Sequence, residues 1–210
     1  KGDGNDAEHL LGKRLIDAKL GISPFNVDLS HSTLFNKKRI HRTRDERLFR
    51  PPYVLVKKGF NTNNYRLRAA YSEEEMIYRE TVTGIVGNSD SKEILLSFTA
   101  LLNSSFYAYL NFMLGTSLER EQAFQKDFFN YPAIFNSTLA SLADQIQTMI
   151  RKKRDDLSIR DEDVEKLINE LDQFVLSCFH LENDPFVQYV LDVQIPLLTG
   201  DYSVLRKVRL

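Results

Sequence analysis

The sequence predicts an α+β protein, with a small antiparallel β-rich region packed against helices and followed by a helical tail. Three observations carry this. Residues 65–71 alternate with a period of two: Tyr65, Leu67, Ala69 and Tyr71 fall on one side, and Arg66, Arg68 and Ala70 on the other. Val164, Leu167, Ile168, Leu171, Phe174, Val175, Cys178 and Phe179 keep strict helical spacing, the strongest such pattern in the chain. The composition, 42% hydrophobic and 27% charged over 210 residues, suits one large globular domain or two small ones.

Taken in order, residues 6–20 predict an amphipathic helix. Ala7, Leu10, Leu11, Leu15 and Ala18 share a face, Asn5 or Asp6 caps it and Gly21 stops it. Residues 22–50 hold no sustained period, and a polar segment of that length is functional or disordered. Tyr53-Val54-Leu55-Val56 is a short apolar strand preceded by Pro51-Pro52. A hairpin loop rich in Gly and Asn, residues 57–64, joins it to the strand at 65–71, and residues 76–86 form a third strand.

The remainder reads as helical. Asp90 and Glu93 cap a helix whose face runs from Ile94 to Met113, and a shorter element spans 119–130. Leu139 to Ile150 define another helix, and residues 151–160 a charged link. The acids Asp161, Glu162 and Asp163 favour a helix start there, and a last helix opens at Asp184-Pro185 and stops before Pro196. The expected divisions are 1–47, an N-terminal helix and basic segment; 48–135, a recognition region; and 136–210, the helical tail.

Charge is distributed unevenly. Residues 37–68 hold eleven Lys/Arg against Asp45 and Glu46, a net +9, whereas the rest carries 17 basic and 27 acidic residues, a net −10. A basic stripe attracts polyanions, and an acidic remainder limits indiscriminate sticking. The candidate DNA-binding residues are Lys37, Lys38, Arg39, Arg42, Arg44, Arg47, Lys57, Lys58, Asn61, Asn63, Asn64, Arg66 and Arg68. Lysines suit phosphates, guanidinium forks suit phosphate or guanine, and Asn suits an adenine edge. Arg66 and Arg68 are expected to leave the sheet together on an uncovered face.

Catalytic patterns are missing. His9, His31, His41 and His180 lack paired ligand spacing, and the single Cys178 excludes a disulfide framework and fits a reducing, cytoplasmic setting. No apolar run approaches the roughly 18 residues of a membrane span. Arg50-Pro51-Pro52-Tyr53 imitates the active-site tetrapeptide of adenine-N6 methyltransferases. In those enzymes the first residue must accept from the target amino group, whereas Arg50 only donates. No glycine-rich turn for S-adenosylmethionine precedes it.

Four stretches together carry a resemblance. Arg50-Pro51-Pro52-Tyr53-Val54-Leu55-Val56-Lys57-Lys58-Gly59 with Arg68-Ala69-Ala70-Tyr71 looks like the opening strands of a TaqI-like C-terminal specificity domain. Leu101-Leu102-Asn103-Ser104-Ser105-Phe106, followed by Gly115-Thr116-Ser117 and Arg120, resembles its Leu-Asn-Ser helix. Phe129-Asn130-Tyr131-Pro132-Ala133-Ile134 is similar to its closing segment, and Ile168–Leu181 to the helical tail that follows it.

The resemblance spans roughly residues 48–192 and implies the target-recognition portion of an adenine-N6 DNA methyltransferase in a type II restriction–modification system. It implies double-stranded DNA and an upstream methylase domain as partners. S-adenosylmethionine would then be bound by that upstream domain, with no cofactor or catalysis in this chain. Asn103 is read as a buried amide joining helix to sheet, and Pro132 as a helix stop. The alternatives are a non-catalytic interaction module for an acidic partner and a metal-dependent nuclease domain using scattered carboxylates.

Overall fold

A computed structural model of the chain describes residues 4–61, 63–114 and 130–206. Its N-terminal part is built from two-residue strands: β1 (Asn5–Asp6), β2 (Arg14–Leu15), β3 (Ile22–Ser23), β4 (Asn26–Val27), β5 (Thr33–Leu34) and β6 (Arg39–Ile40). They pair antiparallel as β1–β6, β2–β5 and β3–β4. The helix expected over 6–20 therefore does not form. Gly12 takes φ +73°, a left-handed conformation that breaks any helix through it, and the flanking backbone pairs with residues 33–40 instead. Only a 3-10 turn at Glu8–Leu10 remains. The basic segment is correspondingly more ordered than its lack of period suggests.

The main sheet contains β7 (Tyr53–Lys57), β8 (Arg68–Ser72) and β9 (Val82–Val86), in the antiparallel order β8-β7-β9. Val54 sits opposite Tyr71 on one side and Ile85 on the other. The alternation of Tyr65, Leu67, Ala69 and Tyr71 is real, since all four enter one core cluster, but the ladder begins only at Arg68. Tyr65 takes φ +56°, which bends the chain before the strand. The third strand is likewise shorter than 76–86: Ile77 makes a single parallel bridge to Leu15, and pairing with β7 starts at Val82.

Both faces of this sheet are covered. Val54 and Val56 pack toward the helices with Ala69 and Tyr71, while Tyr53, Leu55 and Val82 pack toward the N-terminal part with Leu10, Ile16, Phe49 and Ile77. This is the period of two of a central strand, with two apolar layers rather than one.

On the helical side, a turn at Ser89–Ser91 leads into α1 (Lys92–Asn103). The cap there is Asn88, whose Oδ1 accepts from Asp90 N–H, with Ser91 Oγ accepting from Asn88 N–H; Asp90 and Glu93 do not form the expected pair. The single helix expected to Met113 is broken at Ser104, which is extended (φ −74°, ψ 157°). Its hydroxyl donates to Leu101 O and accepts from Tyr107 N–H, starting α2 (Ser105–Leu114).

Next come α3 (Ser137–Lys153), capped by Asn136, and α4 (Asp161–Cys178), with three acids in its first turn. Asp184 caps α5 (Pro185–Tyr189) through the amides of Phe186 and Val187. The chain then continues through a π-turn, Val190–Gln194, into α6 (Ile195–Leu198). The stop expected before Pro196 is absent because that proline falls in the first turn of α6, where a missing N–H is tolerated. One core cluster runs from Val54 through α1 to α4 and on to Ile195, so sheet and tail share an interior.

Residues 119–129 of the element expected at 119–130, and the Gly115-Thr116-Ser117, Arg120 and Phe129 parts of the resemblance, lie outside the described residues. Among the described residues no helix is long and apolar enough to cross a membrane.

Candidate nucleic-acid interface

The basic segment is held against the N-terminus by its own backbone. Ala7 N–H donates to Lys38 O at 2.8 Å, Asn5 Nδ2 to His41 O at 3.2 Å, and Thr43 Oγ1 to Asp6 O at 2.8 Å. Satisfied main-chain groups leave the long cationic side chains as the part presented to solvent. Lys37, Lys38, Arg39 and Arg42 are all exposed.

Beside this segment opens a cleft of about 870 Å³. Lys37, His41, Arg42, Arg44 and Arg79 contribute its polar lining, with Glu80 the one acid; Leu15, Phe35 and Ile40, each half-buried, contribute apolar lining. Tyr78 also lines it, and Phe49 packs edge-on against that ring at 5.0 Å between ring centroids. Tyr78 donates to Leu48 O at 2.5 Å, and burial pushes its phenol up to about 12. Gly84 permits this placement, because a Cβ there would lie 1.7 Å from the Tyr78 hydroxyl.

The cations around the cleft are not equivalent. Arg44 lies over the Tyr78 ring at 5.6 Å and donates to Val82 O at 3.4 Å, so it is an anchored part of the wall. Arg47 is exposed but turned onto Asp45, bonding both carboxylate oxygens, with Nη2–Oδ2 at 2.6 Å. That guanidinium, together with the Arg47 amide, holds the Asp45 carboxyl down at about 2. Lys37, Arg42 and Arg79 have no ion pair among the described residues. Arg79 is new to the site: it lies well outside residues 37–68, and the Leu15–Ile77 bridge, with the Tyr78 bond to Leu48 O, brings its loop alongside them.

The hairpin residues are placed differently. Arg66 and Arg68 do not emerge on an uncovered face, because the sheet has none. Arg66 forms a bidentate pair with Asp172 of α4 (2.6 and 3.1 Å) and also donates to Asn103 O at 3.3 Å. Arg68 donates to Gly59 O and Phe60 O at 3.4 and 3.1 Å, bracing the loop from inside, and burial pushes its pKa down. Asn61 Oδ1 accepts from Asn63 N–H and Asn64 Oδ1 from Arg66 N–H, so two of the three asparagines are used as turn formers. The Asn63 side chain is exposed at the tip.

Lys57 reaches Lys19 O at 3.5 Å, and its ammonium pKa is lowered by burial and then by Arg68 nearby; Lys58 is half-buried. A second cleft, about 290 Å³, lies between Asn63, Asn64 and α4. Its arginine is committed to Asp172, and Asp192 adds negative charge, so phosphates are favoured at the first cleft.

Among the described residues no group of three or more His, Cys, Asp or Glu side chains is arranged to hold a metal ion. Arg50, the first residue of the Pro-Pro tetrapeptide, points at Glu46 across 3.7 Å. Tyr53 of the same tetrapeptide is fully buried and donates to Glu74 O at 2.6 Å, so its ring offers no stacking face. No protein-family model matches the chain, and no curated protein sequence matches it.

Proposed function

We propose that this chain recognises double-stranded DNA without catalysing a reaction on it, as the C-terminal specificity portion of an adenine-N6 DNA methyltransferase. The observation that carries the DNA part is the convergence of Lys37, Arg42 and Arg79 on one open cleft, while Arg44 and Arg47 beside it are engaged internally. Unpaired cations on an ordered backbone neutralise phosphates without first breaking an internal pair. The methyltransferase part rests on the resemblance of residues 48–192, which also supplies the expected upstream methylase domain and its S-adenosylmethionine.

In this role the ordered 37–44 strip grips the phosphate backbone and fixes register, and base selection follows from edge contacts and from the deformability of the site. The test is selection from a randomised duplex pool by the purified chain. Enrichment of one short sequence is expected. Retention of duplexes with no sequence enriched, and equal competition by polyglutamate, would instead favour an interaction module for acidic proteins. Site-independent nicking in magnesium would favour a nuclease.

A further inference from the structure

The cleft beside the basic segment has a feature that phosphate binding does not require. Along with Lys37, Arg42 and Arg79 its lining includes apolar groups, with Phe35, Ile40 and Leu15 each only half-buried. A duplex backbone touching the rim would leave these groups wet. Arg44, already stacked over Tyr78, adds a planar guanidinium to the same lining. Cations sharing a cleft with aromatic and aliphatic side chains form a pairing suited to one ligand unit that is anionic at one end and flat and apolar at the other.

We infer that this cleft binds a single unstacked nucleotide, its base against Phe35 and Ile40 and its phosphate on Lys37, Arg42 and Arg79. At about 870 Å³ the cleft is of the size that holds small ligands, and its lone acid, Glu80, is outnumbered by the surrounding cations. An Asp or Glu side chain would satisfy the cations but carries no aromatic ring to set against Phe35. The inference rests on the nucleic-acid reading above and goes beyond it, since duplex recognition alone needs no seat for an unpaired base. The nucleotide can come from a strand, displaced from its stack, or from free solution.

The intact chain is titrated with a paired duplex, the same duplex bearing a one-nucleotide bulge, and a single strand of equal phosphate number, with 5′-AMP as competitor. The bulged duplex should bind at least about fivefold tighter than the paired one, the least that a base stacked on a side chain contributes. Phe35→Ala should remove that preference, bringing the ratio of bulged to paired affinity to about one. The backbone bonds of residue 35, from Gly12 N–H and to Lys13 O, do not depend on its side chain, and thermal unfolding confirms that the variant is folded.

Competition by 5′-AMP restricted to the bulge preference identifies the cleft as the nucleotide seat. Binding of 5′-AMP as tight as that of the bulged probe assigns free nucleotide as the source, and much weaker binding assigns a strand. Equal binding of bulged and paired duplex, or a preference that survives Phe35→Ala, overturns this inference while duplex recognition stands. Bulged and single-stranded binding without duplex binding overturns duplex recognition and keeps the nucleotide seat. Binding of none of the probes overturns both.

Discussion

Asp172 is a buried carboxylate with every bond it accepts coming from outside its own helix. Only 6% exposed, it accepts two bonds from Arg66 and a third from the Ser105 N–H at 2.8 Å, tying the hairpin to the start of α2 and to α4. Removing one partner of a buried pair strands the other, at a cost of about 3 kcal/mol at the low end, appropriate here because the Arg66 side chain is a fifth exposed. Asp172→Ala and Arg66→Ala should each lower the urea midpoint by an amount equivalent to that loss. Both should keep the wild-type salt dependence of DNA binding where they remain folded. Loss of discrimination at one base position by Arg66→Ala, with stability intact, would make Arg66 a base reader instead. Asp45 gives a second, gentler prediction. Its carboxyl is held at about 2 by Arg47, below the ordinary 3.8, so what it contributes to the Glu46–Phe49 turn is present above about pH 4 and lost as pH falls toward 2. A carbon-detected NMR titration should show that low midpoint, and Arg47→Ala should return it toward 3.8; an unmoved midpoint would separate Asp45 from Arg47.

At the scale of elements, Asn103 acts as a latch. Its Oδ1 accepts from Ala69 N–H at 3.0 Å and its Nδ2 donates to Ala69 O at 2.8 Å, so the end of α1 completes the hydrogen bonding of β8. Ala69 O also receives Phe25 N–H, but its own N–H has no substitute partner, so Asn103→Ala should cost about 1–3 kcal/mol. Amide exchange at Ala69 should accelerate more than at Tyr71; equal acceleration would mean that the helix merely loosened as a whole. The role of Asn103 was readable only through the resemblance of its Leu-Asn-Ser run, whereas β7, the period of β8 and the starts of α4 and α5 were readable because local period and capping decide them. The break at Ser104 was also locally encoded, since Ser is a preferred N-cap, but the unbroken apolar face concealed it. Residues 6–20 misled for a different reason. Their apolar spacing fits a helix, yet Gly12 and strand partners some twenty to thirty-five residues away prevail. The fates of Arg66 and Arg79 depend on Asp172 and on the Leu15–Ile77 bridge, neither of which leaves a signal in neighbouring residues.

The whole molecule is three-layered: an N-terminal lobe of short strand pairs, the three-stranded sheet, and the helices, with separate apolar clusters on the two sheet faces. This layering carries the 37–44 strip and its cleft on the sheet face opposite α3 and α4, whereas Arg66 and Arg68 of the same basic segment turn toward α4 and the hairpin loop. With Arg50 facing Glu46 and Tyr53 buried, the purified chain should transfer no labelled methyl group to DNA, and transfer at any measurable rate would reassign the Pro-Pro tetrapeptide. DNA recognition through the cleft is tested most directly by the salt dependence of duplex binding. Neutralising Lys37, Arg42 and Arg79 together should weaken binding and flatten the slope of log K against log salt by about 0.9 for each phosphate no longer neutralised, while the same change at Arg151, Lys152 and Lys153 on the last turn of α3 leaves it unaltered. Equal flattening by the two triple variants, or none by the first, would contradict a DNA-binding cleft.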